Sequence, residues 1–227
     1  MSASTRYLGF DIATYPGDAT MGWLWGHGFR ISGFYLNHHR GEADETWIAR
    51  RRTLAAAGWG LAPLYLGWQT VDIRGHRLPP PPNPQTTGAA DAAEAVALMQ
   101  RSGFSPGSAV HFDIEDGTVP AGAYEQYLLA WKTAVAAAGF SPAVYCSHLC
   151  NAWAAANSLP HWCFRLVDKV AGPYDPARLP QPPIEDGSLG VQFLQQVHLA
   201  GLPVAVDLDW FAVPDPASAH AASQADA

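Results

Sequence analysis

The most informative stretch of the chain is Ala109-Val-His-Phe-Asp-Ile-Glu115. It is short and largely apolar, and turn-forming glycines stand on either side of it, which predicts a buried β-strand. Two carboxylates stand at its end. Since residues two apart on a strand face the same side, we expect His111, Asp113 and Glu115 to share one face.

The segments around this strand alternate between predicted helices and predicted strands. A helix is predicted at residues 91–101 before it, and another at 124–138 after it, where Gly139 supplies a C-terminal stop. Further strands are predicted at 7–11, 30–36, 61–66, 143–146, 162–167, 191–194 and 204–208, and further helices at 19–27, 44–57 and 150–156. The result is eight strands with helices after the first five only.

This order predicts an α/β fold, a TIM-like (β/α) barrel whose three final strands lack long helices. The loop at residues 68–87 carries the proline run Pro79–Pro82, which excludes helix and central strand there. We expect one domain over residues 1–213 and a flexible C-terminal tail over 214–227.

Composition narrows the set of partners. The 227 residues are 48% hydrophobic, which favours a folded core over disorder. The net charge of −7 argues against nucleic acid and anionic membranes, because both attract cationic proteins. No apolar stretch is long enough for a membrane span, and no signal peptide is visible. We expect a monomer without a cofactor, cytoplasmic as synthesised and exported, if at all, without a signal peptide.

Acidic residues are predicted at the same end of three strands. Asp11 ends the first strand, Asp113 and Glu115 end the fourth, and Asp207 ends the eighth, with Asp209 two residues further on. Catalytic groups of such barrels lie at the C-terminal strand ends, so these acids should converge. Mutual repulsion raises the pKa of at least one acid and keeps it protonated near neutral pH. A protonated acid beside ionised ones is what glycoside hydrolysis needs.

Several short motifs occur together and in a fixed order. They are Gly9–Ile12 (GFDI), Gly88–Asp91 (GAAD), Phe112–Glu115 (FDIE), Gly139–Tyr145 (GFSPAVY), Val191–Phe193 (VQF) and Val206–Asp209 (VDLD). Between Gly9 and Phe211, this combination resembles the glycoside-hydrolase-like domain family, a relative of the family 25 glycoside hydrolases or Chalaropsis-type lysozymes. The resemblance implies a barrel with five helices followed by three strands without them. It also implies a lysozyme-like muramidase that cuts β-1,4-linked N-acetylated cell-wall glycan.

The resemblance further implies a role for each acid. Glu115 would be the general acid, and Asp113 would orient the N-acetyl group of the substrate or stabilise positive charge. Asp11 and Asp207 would tune the local charge and bind the sugar ring. The other residues expected to bind substrate are Tyr65, Trp68, Tyr145, Trp162, Gln192, Asp209 and Trp210, the tryptophans as platforms for sugar faces or else as core residues.

Two other interpretations remain open at this stage. Cys146, His148 and Cys150, with His161 and Cys163 downstream, are residue types that bind zinc, although their spacing fits no standard zinc finger and buried thiols are the simpler interpretation. The barrel is alternatively a catalytically inactive glycan-binding module or an assembly component, because a fold alone does not establish chemistry.

Overall fold

The computed structural model describes residues 5–72 and 74–218 and contains a closed barrel of eight strands. Each strand pairs with the next in chain order, and the last pairs with the first. The strands are β1 (Tyr7–Asp11), β2 (Phe29–Tyr35), β3 (Gly60–Tyr65), β4 (Ala109–Asp113), β5 (Ser141–Ser147), β6 (His161–Phe164), β7 (Ser188–His198) and β8 (Ala205–Phe211). The predicted TIM-like barrel is confirmed.

Helices follow the first five strands, as predicted. They are α1 (Asp18–Gly26), α2 (Glu45–Ile48), α3 (Arg51–Ala56), α4 (Pro84–Ser102), α5 (Gly122–Ala137) and α6 (Asn151–Ala156). After β6 and β7 the described residues contain only a 3₁₀ turn, Pro176–Arg178. Helix α4 begins earlier than predicted, at Pro84, because a proline fits the first turn of a helix. Within the described part of the chain, no helix is long and apolar enough to cross a membrane.

Apolar side chains fill two layers. A large outer layer lies between the strands and the surrounding helices and includes Phe10, Phe34, Phe112 and Trp131. A smaller cluster fills the inside of the barrel with Ile31, Ala62, Leu64, Tyr145, Trp162 and Phe211. Since neighbouring residues on a strand face opposite sides, each strand contributes to both layers. The interior cluster therefore closes the barrel below its C-terminal rim.

The direction of β8 differs from the sequence prediction. Strands β1 to β7 run parallel, whereas β8 pairs antiparallel with both β7 and β1. Asp207 therefore does not end the last strand but lies near its beginning, and the strand continues to Phe211. The reversal places Asp207 directly opposite Asp11 in the β1–β8 register. Convergence of the two acids was predicted, although for the wrong strand direction.

Residues 214–218 pack against the barrel next to the N-terminal ends of β3 and β4. The Ala217 N–H donates to the Leu61 carbonyl, and the Ala109 N–H donates to the Ala217 carbonyl. Asp215 accepts a hydrogen bond from the Leu61 N–H over 3.1 Å. The domain boundary after residue 213 stays a prediction, and the rest of the expected flexible tail, residues 219–227, lies outside the described residues.

The contact between α4 and α5 gives a test of this packing. A Cβ added at Gly88 would lie 2.3 Å from the Tyr127 carbonyl oxygen, a backbone atom that cannot move aside easily. We expect Gly88→Ala to lower the free energy of unfolding by about 2–3 kcal/mol through overpacking. The matched control is Gly22→Ala in α1, where nothing lies within 4 Å; it should stabilise the protein by about 0.5–1 kcal/mol. Urea denaturation measures both, and equal effects would contradict the packing.

Candidate active site

A cavity of about 470 Å³ opens at the C-terminal ends of the parallel strands. All four predicted catalytic acids line it, together with two of the predicted binding residues. The lining residues are Asp11, Tyr35, Val71, Asp72, Gly75, Asp113, Glu115, Tyr145, Phe164, Leu166, Gln192, Gln195 and Asp207. The structure therefore brings together an acid from β1, an acid from β8, and two acids at and just after the end of β4.

Gln192 links two of the acids. Its Nε2 donates to Asp11 Oδ2 over 3.0 Å and to Asp207 Oδ2 over 3.2 Å. Its Oε1 accepts a hydrogen bond of 2.7 Å from the Tyr145 hydroxyl. Both amide hydrogens and the amide oxygen of Gln192 are thus used, which fixes its orientation. Asp11 also accepts from the Tyr35 hydroxyl over 2.8 Å, so its carboxylate is held from two sides.

A backbone irregularity holds Asp207. The β7–β8 register shifts here, and Gln196 adopts a left-handed backbone with φ of 51°. In this conformation the Gln196 N–H donates to Asp207 Oδ1 over 2.7 Å. Bulges of this kind commonly redirect side chains beside functional sites. Burial raises the pKa of Asp207, and the hydrogen bonds from Gln196 oppose that change.

The buried acids hold protons more strongly than free carboxyl groups do. Burial, followed by the charge of Asp207, raises the pKa of Asp11 to about 7. Burial and the charges of Glu115, Asp11 and Asp207 raise the pKa of Asp113 well above its usual range. Within the described residues, no hydrogen-bond donor reaches Asp113 Oδ1, although this oxygen is buried. A buried acceptor without a partner is costly, and this one lies beside the cavity.

Glu115 lies just beyond β4 rather than on it. The strand ends at Asp113, so the shared strand face that was predicted for His111, Asp113 and Glu115 does not extend to Glu115. The Glu115 side chain nevertheless lines the same cavity. Glu115 is more exposed than the other three acids, and burial still raises the pKa of its carboxyl group. It is the acid that a molecule entering the cavity reaches most readily.

The family model for the Rv2525c-like, glycoside hydrolase-like domain matches residues 22–183. The chain belongs to this family. No curated protein sequence matches it at a significant level. The family resemblance recognised in the sequence is therefore confirmed.

Solved structures show the same fold at low sequence identity. The Tat-secreted Rv2525c of Mycobacterium tuberculosis, in complex with L-tartrate, is 17% identical over 91% of this chain and 95% of its own, with a TM-score of 0.61. The lysozyme of Streptomyces coelicolor is 12% identical over 95% of this chain and 99% of its own, with a TM-score of 0.57. The modular Cpl-1 endolysin, complexed with a peptidoglycan analogue, is 13% identical over 94% of this chain and 56% of its own, with a TM-score of 0.55.

Three aromatic residues expected to bind substrate lie outside the cavity of this Rv2525c-like domain. Tyr65 faces outward because its neighbour Leu64 faces the barrel interior, and its hydroxyl donates to Glu94 of α4 over 2.8 Å. The Trp210 indole donates to the Pro180 carbonyl, and the Trp68 indole donates to the Pro79 carbonyl. None of these three residues lines the cavity, and their contact with substrate stays a prediction.

Two other expected binding residues lie beneath the cavity. Trp162 is fully buried inside the barrel, and its indole donates to Asp209 Oδ1 over 3.2 Å. Asp209 is also fully buried, and its carboxyl group hydrogen-bonds the carboxylate of Asp11. This hydrogen bond raises the pKa of Asp209 and lowers that of Asp11, so Asp209 is the better donor of the two. Both residues therefore lie beneath the acids that line the cavity, with no surface exposed to it.

The sequence analysis missed Tyr35, which donates to Asp11, and Gln69, which hydrogen-bonds the backbone of Asp113 and Glu115. Tyr35 is the last residue of β2 and faces inward like Gly33, whose missing side chain leaves room for Asp11: a Cβ there would lie 2.4 Å from the Asp11 Cβ. The alternation of inward-facing and outward-facing residues along β2 was the signal that could have identified Tyr35. Gln69 lies in a loop and carried no periodic signal.

The three cysteines of this Rv2525c-like domain are buried free thiols. In the part of the chain that the structure describes, no three His, Cys, Asp or Glu side chains are grouped to hold a metal ion. The Cys146–Cys150 segment forms the end of β5 and the 3₁₀ turn that follows it. Buried structural thiols therefore describe these residues better than a zinc site does.

The buried acid Asp209 predicts how stability depends on pH. Its pKa is well above the usual range because of burial and the charges of Asp11 and Asp207. The folded protein therefore keeps a proton that the unfolded chain loses above about pH 4, and stability falls as the pH rises. Asp209→Asn retains a donor for Asp11 and an acceptor for Trp162 but cannot ionise. We expect it to raise the melting temperature at pH 8 by several degrees and to leave that at pH 4 nearly unchanged.

Thermal unfolding between pH 4 and pH 8 measures this effect. The matched control is Asp175→Asn, at an exposed residue that caps the Pro176–Arg178 turn. A difference between Asp209→Asn and the wild type that stays constant across this pH range would contradict a buried, protonated Asp209.

Proposed function

We propose that this protein is a lysozyme-like glycoside hydrolase that acts on β-1,4-linked N-acetylated cell-wall glycan. The observation that carries the proposal is the cavity, in which the carboxyl group of the buried acid Asp113 lies beside the more accessible acid Glu115. An acetamide N–H is a donor of the kind that Asp113 needs. The peptidoglycan analogue bound by the Cpl-1 endolysin, which has the same fold, supports a glycan substrate.

The charges of the site suggest where the proton lies when substrate binds. Without a donor, Asp113 holds a proton because of its burial and its acidic neighbours. A hydrogen bond from an acetamide N–H favours the ionised form of Asp113. The acidic neighbours then keep a proton on Glu115, and bound substrate raises the pKa of Glu115 further by excluding water. Substrate binding thus prepares Glu115 as the acid.

Each acid then has a distinct task in bond cleavage. Glu115 donates its proton to the glycosidic oxygen while the bond to the anomeric carbon breaks, and a water molecule then adds to that carbon and returns a proton to the Glu115 carboxylate. The positive charge that develops on the sugar is stabilised by Asp113 and by Asp11 and Asp207, which Gln192 holds in place. Phe164 and Leu166 form an apolar part of the wall, which suits the C–H faces of a sugar ring.

Purified protein incubated with bacterial cell walls and with chitooligosaccharides tests the proposal. We expect new reducing ends and shorter glycan fragments, detected by mass spectrometry. A wild-type protein that binds these glycans without cutting them would instead support the glycan-binding module. A protein that neither binds nor cuts them would refute both functions.

We propose that the protein acts as a monomer outside the cytoplasm, where such glycans lie. Rv2525c of M. tuberculosis, which has the same fold, is itself Tat-secreted, and this supports a place outside the cytoplasm. Fractionation of the native host with an antibody tests this, and a purely cytoplasmic pool would contradict it.

A further inference from the structure

The backbone of Glu115 lies beyond the support of the barrel sheet. The last sheet-like hydrogen bond of this segment joins the Ile114 N–H to the Tyr145 carbonyl over 2.9 Å. Glu115 follows immediately and belongs to no strand. An acid that must meet one oxygen of a substrate needs a fixed backbone, so other groups have to supply what the sheet does not.

The side chain of Gln69, in the loop after β3, supplies this support. Its Nε2 donates to the Asp113 carbonyl over 2.7 Å, and its Oε1 accepts from the Glu115 N–H over 3.3 Å. A carboxamide carries the same donor and acceptor as a peptide group. Gln69 therefore pairs with the residues on both sides of Ile114 much as a neighbouring strand would. It extends the backbone hydrogen bonding of the sheet to Glu115.

Asp116 anchors the same loop on the other side of Glu115. It accepts a hydrogen bond of 2.8 Å from the Thr70 hydroxyl, forms an ion pair with Arg77, and accepts from the Thr118 N–H over 3.0 Å. Burial alone would raise the pKa of Asp116, but these hydrogen bonds lower it overall. An ionised Asp116, which follows Glu115, thus holds the loop after β3 at residues 70 and 77. Gln69, in the same loop, holds the backbone at Asp113 and Glu115.

We propose that Gln69 is a positioning residue that holds the general acid Glu115 at the cavity. It does not line the cavity itself, so it acts through the Glu115 backbone and not through contact with the sugar. The inference rests on the proposed function, because it assigns Gln69 to the same reaction. Without the carboxamide, Glu115 moves outward, and its carboxyl group becomes more hydrated.

Two variants separate the parts of this support. Gln69→Met keeps the length of the side chain and removes both hydrogen bonds. Gln69→Glu keeps the acceptor for the Glu115 N–H but loses the donor to Asp113. The control is Gln85→Met at an exposed position of α4, where the side chain donates to Gln126 over 3.1 Å, away from the cavity. All three are compared with the wild type on a chitooligosaccharide.

We expect Gln69→Met to lower kcat at least tenfold with KM within about twofold, since misplacement of a catalytic group by 1 Å costs up to about 100-fold. Gln69→Glu should lower kcat as well, because its ionised carboxylate repels the Asp113 carbonyl oxygen where Gln69 donates a hydrogen bond. The alkaline limb of the pH–rate profile, which reports the pKa of the acid, should move to lower pH in Gln69→Met. Unchanged kcat, or a loss that follows the folded fraction with an unchanged pH profile, would overturn the proposal.

An activity-independent measurement keeps this inference separate from the proposed function. In protein with ¹³C-labelled glutamate, the carboxyl signal of Glu115 is assigned by its absence in Glu115→Gln and then titrated. We expect its midpoint to fall in Gln69→Met and to stay unchanged in Gln85→Met. Both variants leave the other titratable residues of the cavity unchanged. These are the acids Asp11, Asp72, Asp113 and Asp207 and the tyrosines Tyr35 and Tyr145.

The outcomes are distinguishable. If the wild type cuts no glycan but the midpoint falls in Gln69→Met, the proposed function fails and the positioning of Glu115 stands. If the wild type is active and neither kcat nor the midpoint responds to Gln69→Met, the function stands and the role of Gln69 fails.

Discussion

Glu115→Gln is expected to lower the hydrolysis of natural glycan by about 10³-fold, within the range for loss of a general acid. The amide has the shape of the carboxyl group but cannot release a proton to the glycosidic oxygen. Because Glu115 is an exposed residue that belongs to no strand, the fold and the melting temperature should be unchanged.

A substrate with a good leaving group makes this prediction sharper. 4-Nitrophenolate departs without prior protonation, so Glu115→Gln should retain far more activity on a 4-nitrophenyl chitooligoside than on the natural glycan. The control Glu45→Gln alters an exposed glutamate paired with Arg101 and should leave both rates unchanged. Equal losses on the two substrates would contradict the role of Glu115 as a proton donor.

Asp113→Asn is expected to lower the rate by about 10²-fold on both kinds of substrate. The asparagine fills the same buried space but lacks the negative charge that stabilises the positive charge on the sugar. Asp113 acts on the charge of the sugar and does not protonate the leaving group, so the 4-nitrophenyl substrate should bring no rescue. The contrast with Glu115→Gln is therefore the signature of two acids with different tasks.

Steady-state kinetics on the paired substrates measure the contrast, with Asp175→Asn as the control. Asp175 is exposed and does not line the cavity. Rescue of Asp113→Asn by the better leaving group would contradict the assignment, since it would make Asp113 the proton donor.

The sequence was sufficient to predict the barrel and its four acids. Buried strands alternated with glycine-terminated helices, and this pattern depends on local periodicity that a sequence displays directly. The acids followed from the rule that barrel chemistry lies at strand ends. Asp11 and Asp113 lie at such ends in the structure.

The direction of β8 was predictable in principle. Only residues 199–204 separate β7 from β8, which is too short for the crossover that a parallel pair needs. This short connection indicates a hairpin, and with it the position of Asp207 near the start of the strand. The adjacent bulge at Gln196, by contrast, could not be predicted, because its left-handed backbone is not marked by a glycine.

The binding residues were harder to predict because a shift of one residue moves a side chain to the other face of the sheet. Tyr65 and Trp210 are each next to an inward-facing residue, Leu64 and Asp209, and so point away from the cavity. Gln69 and Glu115 meet through two loops that are separated by 46 positions in the chain. Contacts between such loops depend on tertiary packing, which local patterns do not encode.

A crystal structure of Glu115→Gln with a bound chitooligosaccharide tests the central claim most directly. The account predicts an acetamide nitrogen within about 3 Å of a carboxyl oxygen of Asp113 and a glycosidic oxygen at similar distance from the side chain at position 115. A sugar chain bound outside this cavity, or one whose acetamide groups point away from Asp113, would contradict the account.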